Sequence, residues 1–129
     1  MSDTSNIFKD QHEFMAAAGN AYPFCTTDEM ETLAERLVRE EYLEFIAEPC
    51  GSDNKIKEAL DLIYVTAQYL NTVIGPETAF KLWVGLHTNN MSKCRDGVLV
   101  KRDDGKILKP EGYVAFDVAD ELKKLSVSE

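Results

Sequence analysis

Cysteine, histidine and tryptophan are scarce in this 129-residue sequence, which holds three, two and one of them. The cysteines, Cys25, Cys50 and Cys94, are odd in number and widely spaced. They suit reduced thiols, not a disulfide framework or a cysteine-bound zinc site. His12 and His87 are the two histidines. No hydrophobic run is long enough to span a membrane. The start, Met1-Ser2-Asp3-Thr4, lacks the basic segment and apolar core of a signal peptide, so a cytoplasmic location is expected. Positive charge is also in deficit: 14 Lys and Arg face 23 Asp and Glu, giving a net charge of −9 and a pI near 4.7. Such a chain repels a polyanion, and polymeric nucleic acid is not an expected partner. What remains is an ordinary globular mixture, 44% hydrophobic and 29% charged. Its length suits a single domain over 1–129 with a core of its own.

Four prolines and seven glycines mark the joints. A short amphipathic helix is expected over 5–18, with Ile7, Phe8, His12, Met15 and Ala16 as its apolar stripe and Gly19 as its stop. Asn20 to Cys25, with Pro23, reads as a loop. Thr26-x-x-Glu29 reads as a capping box opening a long helix, which Pro49 and Gly51 end after Glu48. Ser52 or Asp53 caps a third helix, ended by Gly75-Pro76. Pro76 suits the first turn of a fourth helix reaching Cys94. The helical core thus covers about 26–94, and the hairpin and tail cover 97–129. Val98-Leu99-Val100-Lys101-Arg102 and Lys106-Ile107-Leu108 flank Asp103-Asp104-Gly105, a hairpin signal. Asp117 caps a last short helix, 118–125. The expected fold is all-α and four-helix-bundle-like, with a small C-terminal β-hairpin and a short final helix. Short loops favour antiparallel neighbours.

The acidity is uneven. Residues 28–61 carry eleven acids and four bases, whereas residues 62–129 carry nine of each. In the second helix the apolar stripe Met30, Leu33, Ala34, Leu37, continued at the same spacing, reaches Glu41, Glu44 and Glu48 beside Phe45. In the third, Glu58 and Asp61 share a face with Leu62, Val65 and Tyr69. Each helix offers an acidic pair one turn apart, on the face that should be apolar. Two like charges 4 Å apart repel by roughly 4 kcal/mol at an effective dielectric of 20. Either some of the acids stay protonated or a divalent cation joins them. All-oxygen donors suit Mg²⁺, with Mn²⁺ as a substitute. A solvated rim of acids that binds nothing is the plainer alternative. A di-iron bundle would need Glu-x-x-His on two helices, but the third residues after Glu41 and Glu58 are Glu44 and Asp61.

On the fourth helix, Asn90 shares a stripe with Trp83 and Cys94, and Lys93 lies at its margin. Asn90 either bridges helices or meets a ligand. Lys93, Arg95, Lys101, Arg102, Lys106 and Lys109 form a local basic excess, in which only Lys93 has positional support as a phosphate contact. No P-loop is present. Trp83, Phe8, Phe24 and Tyr22 are candidate base-stacking groups or core. A carboxylate-held cation near basic residues is the equipment of phosphate chemistry.

Glu40-Glu41-Tyr42-Leu43-Glu44 followed by Glu58-Ala59-Leu60-Asp61-Leu62 resembles the E-x-x-E…E-x-x-D motif of the all-α nucleoside triphosphate pyrophosphohydrolases, the MazG-like superfamily. Asn89-Asn90-Met91-Ser92-Lys93-Cys94, Asp104-Gly105-Lys106 and Lys109-Pro110-Glu111-Gly112-Tyr113 resemble its phosphoribosyl-ATP pyrophosphohydrolase-like branch, frequent in phages and bacteria. The resemblance covers roughly residues 30–115. Relatives often carry Pro-Asp in the tail, where this chain has Ala115-Phe116-Asp117. The resemblance implies Mg²⁺-dependent hydrolysis of a nucleoside triphosphate, a dNTP above all, to the monophosphate and pyrophosphate. In it a metal-activated water attacks the α-phosphorus. Glu41, Glu44, Glu58 and Asp61 would hold the metal. Glu40 or one of those ligands would orient or deprotonate the water, and Asn90 and Lys93 would contact the nucleotide. A homodimer or homotetramer in a bacterial or phage-infected cell is implied. The competing expectation is a non-enzymatic helical oligomer that serves as an interaction module.

Overall fold

The computed structural model describes residues 5–19 and 27–127, and these form five α-helices. They are α1 (Ile7–Ala17), α2 (Asp28–Ala47), α3 (Asp53–Ile74), α4 (Pro76–Met91) and α5 (Val118–Val127). The expected loop over Asn20 to Cys25, and Thr26, lie outside the described residues. The chain divides into two compact units, residues 1–80 and 81–129, with the division inside α4.

Local signals account for the helix ends in the first unit. The Asn6 side chain accepts from the Phe8 and Lys9 amides and starts α1. Thr27 caps α2 by accepting from the Met30 amide, one position beyond the expected Thr26. Ser52, rather than Asp53, caps α3. Such caps satisfy amides that have no partner within the helix. Gly75 separates α3 from α4 at φ 82° and ψ 158°, a conformation open to glycine and closed to residues with a Cβ. Pro76 follows as the first residue of α4.

The pairs across α2 and α3 fix their direction. Tyr69 reaches Glu31, while Lys55 lies over the Phe45 ring and donates to the Glu48 carbonyl. Residue numbers that rise on one helix meet numbers that fall on the other, so the two run antiparallel. A four-residue link, Glu48 to Gly51 with Ser52 as cap, permits nothing looser. α1 packs on the C-terminal half of α3, where Phe8, Ala67 and Ala79 are buried with Leu70 and Ile74 against them. Two polar side chains share this small core. Gln11 is fully buried, and Asn71 donates from Nδ2 to the Phe8 carbonyl and to Gln11 Oε1.

Ala67 and Asn71 belong to a row on α3 that continues toward its start as Ile63, Leu60 and Ile56. There α1 no longer covers it, and these three side chains are 51%, 62% and 57% exposed. Leu43 and Ile46 on α2 are also about half exposed, at 50% and 49%. The first unit therefore carries a broad apolar surface that its own helices leave open.

In the second unit α4 ends at Met91, not at Cys94 as expected. The Ser92, Lys93 and Cys94 amides bond to carbonyls three residues back, which tightens the helix and closes it. Asp96 and Gly97 follow, both with positive φ, and join Arg95 to Val98 in one antiparallel bridge. The expected β-hairpin over 98–108 is not formed as strands. The chain does fold back around Asp103-Asp104-Gly105, but only Lys101 and Ile107 make an antiparallel bridge. Val98 and Val100 are 60% and 57% exposed, and an isolated two-stranded ribbon without a covered face is marginal in water. Among the described residues the protein is all-helical. Asp117 caps α5 through the Asp120 amide, as expected. No described helix is long and apolar enough to cross a membrane.

Candidate metal centre

The antiparallel pairing of α2 and α3 brings the turn at 41–44 against the turn at 58–61. Glu41, Glu44 and Glu58 each present a carboxylate oxygen within 4.8 Å of the others. Glu41 and Glu58 are half-buried and Glu44 is exposed. One oxygen of Glu41 and one of Glu58 (Oε2 in each) are sealed from solvent without a hydrogen-bond partner. A buried carboxylate oxygen left unpaired is costly. Here two occur side by side, facing a third acid. The Glu41 carboxyl responds by holding its proton up to about pH 7 rather than 4.5. Burial is the main cause. A hydrogen bond shared with Glu44, and the charges of Glu44, Asp61 and Glu58, push the same way.

Asp61, the fourth acid of the sequence pattern, is not in that set. Its Oδ2 lies 2.5 Å from the Lys57 ammonium, which is also 3.6 Å from Glu58 Oε1. Lys57 is the residue that reading for carboxylates passes over, although its i,i+4 spacing to Asp61 is legible in the sequence. Glu40 is exposed. Glu48, at the helix end, is half-buried, and its carbonyl accepts from Lys55.

The donors present fit a hard divalent cation. All are carboxylate oxygens, two of them are unsatisfied and sealed, and the one strongly shifted acid is shifted toward proton uptake, another way of supplying positive charge. Mg²⁺ and Mn²⁺ are among the ions that such a set suits. The acids lie on the helix stripe because the stripe faces the partner helix. The same pitch that would bury leucines here buries glutamates.

Asn90 and Lys93 lie in the second unit and touch each other, Lys93 Nζ being 3.3 Å from Asn90 Oδ1. Lys93 also sits 5.5 Å from the centre of the Tyr113 ring. Asn90 is exposed, as is Trp83 at 52%, so the stripe they share does not bridge buried helices. The structural asparagine is its neighbour. Asn89 accepts from the Tyr113 hydroxyl at 2.5 Å and donates to the Val114 carbonyl at 2.8 Å, tying the tail to α4. Arg95 donates to the Ser92, Cys94 and Glu111 carbonyls, and Arg102 pairs with Asp104. These two arginines serve their own loops. Phe8 is core, whereas Tyr22 and Phe24 lie outside the described residues, as does Cys25. Cys50 and Cys94 are free thiols.

The second unit also has an open cavity of about 800 Å³, lined by Gly85, Asn89, Tyr113, Phe116 and Lys124 among others. The polar side chains among these are paired internally, Lys124 with Asp120 and Glu121 and Asn89 as above. The unsatisfied acids of the first unit are the stronger chemical signal. No known family model matches the chain, and no curated protein matches it in sequence.

Proposed function

We propose that this protein is a Mg²⁺-dependent nucleoside triphosphate pyrophosphohydrolase with a MazG-type all-α fold, acting on dNTPs or related nucleotides. The observation that carries the reading is the convergence of Glu41, Glu44 and Glu58 within 4.8 Å, with sealed, unpartnered oxygens on two of them. Support also comes from the order of the acids along the chain, which is that of the superfamily's motif. Glu41, Glu44, Glu58 and Asp61 would hold Mg²⁺, or Mn²⁺ in its place. The bound ion would neutralise phosphate charge and lower the pKa of a coordinated water.

The protein's own groups have two tasks. The four acids fix the place where a triphosphate can be held, since a phosphate cannot approach so many carboxylates without an intervening cation. A carboxylate, Glu40 or Glu41, takes the proton of the water whose oxygen bonds to the α-phosphorus as pyrophosphate departs. Asn90 and Lys93 offer an amide and an ammonium for phosphate or sugar oxygens. A homodimer or homotetramer is part of the proposal. The exposed Ile56, Leu60 and Ile63 on one row of α3, with Leu43 and Ile46 exposed on α2, support it, because large apolar patches in water mark contacts between proteins.

Pyrophosphate release from a panel of dNTPs and NTPs with Mg²⁺ tests the activity. Wild type is expected to cleave at least one nucleotide, and Glu44→Ala and Asp61→Ala to lose about tenfold to a hundredfold or more. A wild type inactive on every nucleotide, or variants as active as wild type, refutes it. The exposed apolar rows also favour a second reading, a non-enzymatic helical oligomer whose acids are interface polar groups. That reading predicts no thermal shift even at high Mg²⁺, whereas a bound ion stabilises the native state by mass action.

A further inference from the structure

We infer that Lys57 is a built-in counter-ion that holds Asp61 out of the metal set until a divalent cation displaces it, so that it positions Asp61 and sets the metal affinity. The inference rests on the metal-site reading above.

Three observations converge on Lys57. Glu41, Glu44 and Glu58 already meet within 4.8 Å, and Asp61, one turn beyond Glu58 on the same helix, does not join them. Its carboxylate is instead paired with Lys57 at 2.5 Å. The same ammonium lies 3.6 Å from Glu58, so one cation spans the free acid and the edge of the set. The geometry is also open to change. The Lys57 side chain is 66% exposed and Asp61 is 35% exposed, so the ammonium can swing into water without disturbing packing. Glu58, at 15%, is held by its surroundings.

The consequences follow from charge. Without metal, Lys57 offsets part of the repulsion among the acids. A divalent cation entering the set meets an ammonium of like sign and must take Asp61 from it. Removing the ammonium frees Asp61 and removes the repulsion, so metal binds more tightly although a favourable pair has been lost. An exposed pair of this spacing is weak, but the repulsion of a divalent ion adds to it. The expected gain is about three- to tenfold in Kd.

The test is Mn²⁺ binding to the full chain, followed by the electron paramagnetic resonance of the free ion, with Mg²⁺ competition. Lys57→Gln is expected to bind about three- to tenfold more tightly than wild type. Lys57→Arg, which keeps the charge and the reach, is expected to restore the wild-type value. In an Asp61→Asn background, Lys57→Gln is expected to gain nothing, because the group being released is gone. A gain that persists there would show a general field effect and overturn the latch. Equal or weaker binding by Lys57→Gln overturns it as well, while the metal site itself stands. A wild type that binds no Mn²⁺ removes the site reading and the latch together. Melting in EDTA checks that each variant folds. Lys57→Gln is expected to melt at or slightly below wild type there, and to gain more than wild type when Mg²⁺ is added.

Discussion

The raised proton affinity of Glu41 ties the acid cluster to stability in a way that needs no substrate. Its carboxyl holds a proton to about pH 7 in the folded chain, against 4.5 ordinarily. The folded state therefore binds more protons than the unfolded state between those values, and metal-free stability falls as pH rises through that window. Below about 4.5 the contribution is fully present, and above 7 it is lost. At 1.36 kcal/mol per pH unit the full difference is an upper bound of about 3 kcal/mol. Glu41 is only half-buried, so solvent screening reduces this to about 1–2 kcal/mol. For a chain of this size that is about 4–8 °C in Tm. The perturbation is Glu41→Gln, a neutral isostere of the protonated acid that still offers Glu44 a donor. Melting curves in EDTA at pH 4, 5, 6, 7 and 8 are compared for the two proteins, which cancels the titration of groups remote from the acid cluster. Wild type should match the variant near pH 4 and melt about 4–8 °C below it at pH 8. Saturating Mg²⁺ should close that gap, since a cation replaces the proton. Two parallel pH profiles, or a gap that opens in the opposite direction, would refute the assignment of the strain to Glu41.

Other elements of the fold make further predictions. Asn71→Ala removes the hydrogen bonds to Phe8 and Gln11 in a buried site and leaves the Gln11 Oε1 acceptor unpaired, so urea unfolding should show a loss of about 2–3 kcal/mol. Ser52→Ala removes the α3 cap and should cost about 1 kcal/mol by the same measurement. Leu60→Glu with Ile63→Glu places charge on the uncovered row of α3. Light scattering should find wild type at a multiple of 14.5 kDa and the double variant at the monomer mass. Tyr113→Phe removes the hydroxyl that Asn89 accepts and should raise amide exchange in the tail, with the first unit unchanged.

What the sequence made legible was whatever rests on helix pitch. The spacing that set Glu41, Glu44 and Glu58 on apolar stripes also set them together in space, because the stripe of one helix faces the stripe of its neighbour. The breaks at Pro49 and Gly75-Pro76 were equally legible, since they follow from backbone chemistry. Periodicity does not say how much cover a stripe receives. Gln11 lies off the expected stripe of α1 and is fully buried, while Leu33 lies on the expected stripe of α2 and is 51% exposed. It does not resolve neighbours one residue apart either. Asn89 makes the buried-type contacts expected of Asn90, and Thr27 caps where Thr26 was expected. The hairpin failed for another reason. Turn chemistry at Asp103-Asp104-Gly105 was read correctly, but a turn does not make strands where no third element covers them.

The acid site has a closed wall and an open edge. Its closed wall is the seam between α2 and α3, where the Oε2 atoms of Glu41 and Glu58 are sealed. Its open edge is marked by the exposed Glu44 and the partly exposed Asp61. A cation bound against the wall would keep its remaining coordination positions toward that edge, because nothing can reach it through the packed helices. On the proposed reading, a phosphate chain would then arrive past Glu44 and Asp61, the acids that mark this edge. Lys57 stands at that edge. One ammonium therefore faces the entry of two opposite charges, competing with the metal and attracting the phosphate. Its removal should tighten metal binding while weakening nucleotide binding to the metal-loaded protein, an opposition that a purely structural lysine would not produce.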